Sequence, residues 1–111
     1  LGETGRPAEG IALTNQLIKD NDPKTQKQLF ALAYNAQGVC YRSSQKPKDA
    51  ILAFLHTHLI FNESPDAHAE ALFHLSQLWE QINKADRAQD TKRLLREKYV
   101  GTFWEQKSRS E

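Results

Sequence analysis

The sequence predicts an all-α chain built as a solenoid of antiparallel helix pairs. Three observations carry that expectation. Apolar residues recur at helical period in every segment, and no stretch sustains the alternation of a strand. Small and aromatic residues also repeat along the chain at intervals of 38–40 positions. Five helices of about 14–20 residues are expected, or six if a short one follows Gly101.

Proline marks most of the helix starts. Pro7, Pro23, Pro47 and Pro65 each precede a helix-like apolar pattern. The first helical position suits proline because its missing N–H has no intrahelical partner to lose. Asp22 and Ser64 stand just before two of them, with side-chain oxygens able to accept orphan N–H groups. After Pro7, Ile11, Leu17 and Ile18 share a face with Thr14. After Pro23 the face is Leu29, Ala33, Ala36, Cys40 and Tyr41. After Pro47 it is Ala50, Ile51, Phe54, Leu55 and Leu59. After Pro65 it is Ala69, Leu72, Leu75, Trp79 and Ile82. A fifth segment presents Ala85, Ala88, Leu94, Leu95 and Tyr99. Turns are expected near Asn21-Asp22, residues 43–46, residues 62–64 and Asn83-Lys84.

The repeat is visible at several positions. Gly10, Ala50 and Ala88 occupy equivalent places near three helix starts, spaced by 40 and 38 residues. Gly38-x-x-Tyr41 matches Ser76-x-x-Trp79 at a separation of 38. A small residue followed three later by a large aromatic lies on one helical face, where the first admits a neighbouring helix and the second fills the space one turn on.

These residues resemble the tetratricopeptide repeat (TPR) pattern W-x₂-L-G-x₂-Y, A-x₃-F, P. One unit reads Tyr34-x₂-Gln37-Gly38-x₂-Tyr41, then Ala50-x₃-Phe54, with Pro65 beyond. The next reads Leu72-x₂-Leu75-Ser76-x₂-Trp79, then Ala88-x₃-Lys92. Gln37 departs from leucine, Lys92 departs from an aromatic, and the period exceeds the family's 34 residues. The longer period and the stretch from Ser64 to Leu72 are similar to TPR-like proteins of the bacterial cell envelope, the Tol–Pal coordinators and outer-membrane assembly lipoproteins. The resemblance implies a right-handed superhelix, a role in protein–protein interaction, and a periplasmic or envelope setting.

On that pattern the chain is one domain over 1–111. It divides into the second helix of a truncated unit (1–22), a first helix pair (23–62), a second pair (64–100) and a tail or capping helix (101–111). There is no Met, even at position 1, and the chain opens on half a unit. The expectation is therefore a segment of a longer array, with a turn at Gly2 and Gly5 ahead of its first helix.

Composition narrows the function. Fifteen Lys and Arg face fourteen Asp and Glu, too balanced for the concentrated basic surface that nucleic acid requires. The densest basic cluster, Lys92, Arg93, Arg96 and Lys98, is expected to be the solvated face of a helix. Mean hydropathy is −0.70, and no apolar run approaches the roughly 20 residues of a membrane span. The single Cys40 excludes an internal disulfide and is expected to pack as a small apolar residue.

No catalytic, cofactor or metal site is expected. His56 and His58 are two apart and His68 and His74 six apart, so neither pair converges on one helix face. His68-Ala69-Glu70 matches the start of a zinc-deaminase motif, but the P-C-x-x-C partner is missing. No Gly-Lys-Ser/Thr phosphate loop is present. What remains is a binding surface. The resemblance implies that the first helix of each pair lines a concave face, which places Asn35, Val39, Arg42, Phe73, His74, Gln77 and Glu80 there as partner contacts. A peptide or protein partner is expected on that face, with exposed solenoid ends offering a second route to self-association.

Overall fold

A computed structural model describes residues 7–110. All regular structure among them is helical: α1 (Pro7–Asp20), α2 (Lys27–Ser43), α3 (Pro47–Leu59), α4 (Pro65–Gln81), α5 (Ala85–Lys98) and α6 (Phe103–Arg109). The short sixth helix therefore forms, while the turn expected at Gly2 and Gly5 lies outside the described residues. Each helix packs on the next, most lightly at α5 and α6. In addition α2 touches α4, and α4 touches α6.

Three of the four prolines stand at helix starts. Pro7 opens α1, and Pro47 and Pro65 sit in the first turns of α3 and α4. Pro23 does not open α2, which begins at Lys27. Asp22 explains the difference. Its side-chain oxygen accepts from the Lys24 N–H (2.9 Å), and its carbonyl accepts from the Thr25 and Gln26 N–H groups (3.2 and 2.9 Å). Asp22 thus closes a turn of its own instead of capping a helix. Ser64 does cap α4, accepting from the Ala67 N–H at 3.5 Å. Ser64→Ala is expected to cost about 1 kcal/mol in urea unfolding, the usual worth of an N-cap.

The turns that close α2 and α4 are the same structure at an interval of 38 residues. Gln45 and Asn83 both take positive φ (59° and 65°). The Lys46 N–H donates to the Tyr41 carbonyl (2.9 Å) as the Lys84 N–H donates to that of Trp79 (2.8 Å). The Gln45 and Asn83 N–H groups donate to Arg42 and Glu80 (3.1 and 3.0 Å). Each turn is a Schellman motif with a non-glycine residue in the left-handed position.

The repeated small residues carry the packing. Gly10, Ala50 and Ala88 are all buried. One core cluster joins Ala50, Ile51 and Phe54 of α3 to Ala71, Leu75 and Leu78 of α4, with Val39, Tyr41 and Trp79 against it. A second joins Ala69, Leu72 and Phe73 of α4 to Leu95, Tyr99 and Trp104. A third holds Phe30, Ala31, Phe61 and Ala67. Gln37, where the repeat pattern has leucine, is buried too. Its amide donates to Thr14 Oγ1 (3.2 Å) and Asn15 Oδ1 (2.6 Å), replacing an apolar contact between α1 and α2 with hydrogen bonds.

A polar strip between α2 and α4

Helix α2 presents Asn35 and Arg42 seven residues apart, two turns along one face. Helix α4 answers with Glu70, His74 and Gln77. Asn35 Nδ2 donates to the Ala67 carbonyl (2.9 Å) and to Glu70 Oε1 (3.3 Å). Arg42 donates to His74 Nδ1 (2.7 Å) and to Gln77 Oε1 (2.6 Å). A guanidinium only donates, so His74 Nδ1 accepts and the ring proton rests on Nε2. That nitrogen lies 3.7 Å from Glu70 Oε2. The imidazole also stacks on Phe54 at 4.6 Å between centroids. The His74 side of the strip therefore rests on the core.

The seven expected partner contacts fall into four places. Arg42, His74 and Gln77 come together, half-buried, in this strip. Glu80 is exposed one turn beyond. Val39 is half-buried against the α3–α4 core. Asn35 and Phe73 are corrections, each only 2% exposed. Asn35 is spent on α4, and its Oδ1 is a buried acceptor with no partner. Phe73 packs on Leu95, Tyr99 and Trp104, so it anchors α5 and α6 and offers nothing to a groove. The physical reason is the same for both: a second helix covers the face that a single helical wheel leaves open.

A second polar chain was missed altogether. His58 of α3 and His68 of α4 approach at 2.8 Å between Nδ1 and Nε2, and His68 Nδ1 lies 2.6 Å from the Tyr99 hydroxyl. Burial pushes the His68 pKa down to about 4, helped by His58 and Lys98. Burial also lowers His58 and raises Tyr99. Spacing within one helix carries no signal for this contact, because it forms across two helices and a helix end.

Cys40 is buried, and burial raises its thiol pKa, the reverse of an activated nucleophile. Among the described residues no three of His, Cys, Asp and Glu gather as metal ligands, and no helix is long and apolar enough to cross a membrane. Comparison with protein-family models, with curated proteins and with solved structures finds no match. The strip sets side-chain donors and acceptors on the facing sides of two helices, Asn35 and Arg42 on α2 and Glu70, His74 and Gln77 on α4.

Proposed function

We propose that the chain is a TPR-like segment of a non-enzymatic interaction scaffold, and that it binds a peptide or partner protein along the face of α2 and α4. The observation that carries this reading is the half-buried, pre-positioned set Arg42, His74 and Gln77. Rigid donors and acceptors cost little ordering on binding, which is what makes a groove selective. The identical turns at an interval of 38 residues support the solenoid part of the reading.

The test is selection of binding peptides from a random library on the intact chain, followed by Arg42→Ala. Affinity is expected to fall at least tenfold, with helical circular dichroism unchanged and stability reduced by about 1–2 kcal/mol for the lost hydrogen bonds. Peptides whose affinity is indifferent to Arg42 would sink the reading.

One observation favours self-assembly as a second reading. A cleft between α1 and α2 is lined by Gly10, Leu13, Leu17, Ala36, Val39 and Cys40, and Leu13 and Leu17 are exposed. If that cleft joins copies, sedimentation shows concentration-dependent mass, and Leu13→Glu abolishes it.

A further inference from the structure

In the basic cluster of α5, Arg93, Arg96 and Lys98 are exposed as expected, and Lys92 is half-buried. Lys92 and Arg96, one turn apart, line a cleft of about 490 Å³ with Gln89 on the same helix and Glu105, Ser108 and Arg109 of α6. Like charges at this spacing repel on an isolated helix. Among the described residues neither Lys92 nor Arg96 makes an ion pair, whereas Arg93 pairs with Asp90 at 3.4 Å. Glu105 is the cleft's one carboxylate and is already committed. It accepts from Arg109 Nε and Nη2 (2.6 and 2.7 Å) and from the Gly101 N–H (2.9 Å). Three cations against one carboxylate leave two positive charges in surplus.

Packing does not explain the lysine. Lys92 stands 38 residues after Phe54, where the preceding pair has a fully buried ring. A small void lined by Phe73, Ser76, Ala88, Lys92 and Ser108 opens beside it, contiguous with the cleft.

We propose that the α5–α6 cleft binds a phosphate group, with Lys92 and Arg96 as its principal contacts and Arg109 closing the far side. A phosphate monoester carries about −1.5 to −2 charge at neutral pH, which matches the surplus, and its oxygens suit guanidinium forks. A single carboxylate would leave one positive charge uncompensated. The site is independent of the peptide face on α2 and α4.

Calorimetric titration of the intact chain with inorganic phosphate and with O-phosphoserine, at constant ionic strength, tests the assignment. Saturable binding of at least one is expected, and the ratio of the two affinities assigns a free anion or a phosphoester as the source. The Lys92→Gln/Arg96→Gln double variant is expected to weaken binding at least tenfold, and Arg93→Gln to leave it unchanged. Circular dichroism of the double variant, and Lys92→Gln alone, separate lost contacts from lost folding. An equal response to acetate, no saturation by either probe, or full binding in a folded double variant overturns the proposal.

Discussion

Lowering the pH from 7 to 4 is expected to cost the protein about 3 kcal/mol of folding stability through His68 alone, if its pKa of about 4 is compared with the usual 6.5. The sign follows from proton counting. Between those two values the unfolded chain binds a proton that the folded chain does not, so protons favour unfolding. Stability is full above about pH 6.5, falls steadily below it, and stops falling through this group below about pH 4. The slope for one proton approaches about 1.4 kcal/mol per pH unit, and His58, lowered by the same burial, adds to it. The cause lies in the geometry. His68 is 3% exposed and sits between the His58 ring and the Tyr99 hydroxyl, with Lys98 close enough to disfavour another positive charge. Urea unfolding at half-unit intervals from pH 7 to 5 reads this effect before the bulk of the carboxylates titrate. His68→Leu is expected to be less stable at pH 7, since Tyr99 and His58 lose a partner, and to show a much flatter pH dependence. An unchanged slope in that variant would assign the acid sensitivity elsewhere.

That sensitivity was invisible in the sequence for a reason that applies to the whole candidate site. Helical period is a local signal, and it placed the helices well because each one buries a face of its own. It also located the small residues Gly10, Ala50 and Ala88, whose burial depends on the nearest neighbouring helix. It missed the start of α2, where Asp22 takes the backbone N–H groups of a separate turn. It misread Asn35 and Phe73, because a wheel drawn for one helix does not know that α4 covers the first and α6 the second. Arg42, His74 and Gln77 were legible as residues but not as a set. Their convergence depends on how α2 and α4 register against each other, a property of two helices at once.

The largest single-site loss is expected at Phe54. Its ring is fully buried in the α3–α4 core and stacks on His74. Phe54→Ala is expected to cost about 3–5 kcal/mol, the range for deleting a buried phenyl group without collapse of the cavity. Gly38 makes the prediction sharper. A Cβ at Gly38 would lie 2.6 Å from two ring carbons of Phe54 and 2.8 Å from a third, and the ring has no open space to retreat into. Gly38→Ala alone is therefore expected to lose about 1–2 kcal/mol, overpacking outweighing the gain of about 1 kcal/mol in helix propensity. With Phe54→Ala in place the collision is gone, and Gly38→Ala is expected to stabilise by about 1 kcal/mol. The double-mutant cycle then carries a coupling of about 2–3 kcal/mol, large because the two groups compete for one volume. The next helix pair already shows the relaxed arrangement. Ser76 stands where Gly38 does, with its hydroxyl donating to the Phe73 carbonyl at 2.7 Å, and Lys92 stands where Phe54 does. A side chain larger than hydrogen is tolerated there because no ring competes for the space, and a small void remains between Ser76 and Lys92. Additive losses in the cycle would mean that α2 and α3 move apart to relieve the contact. The pairing of glycine with an aromatic would then place no constraint on how closely these helices pack.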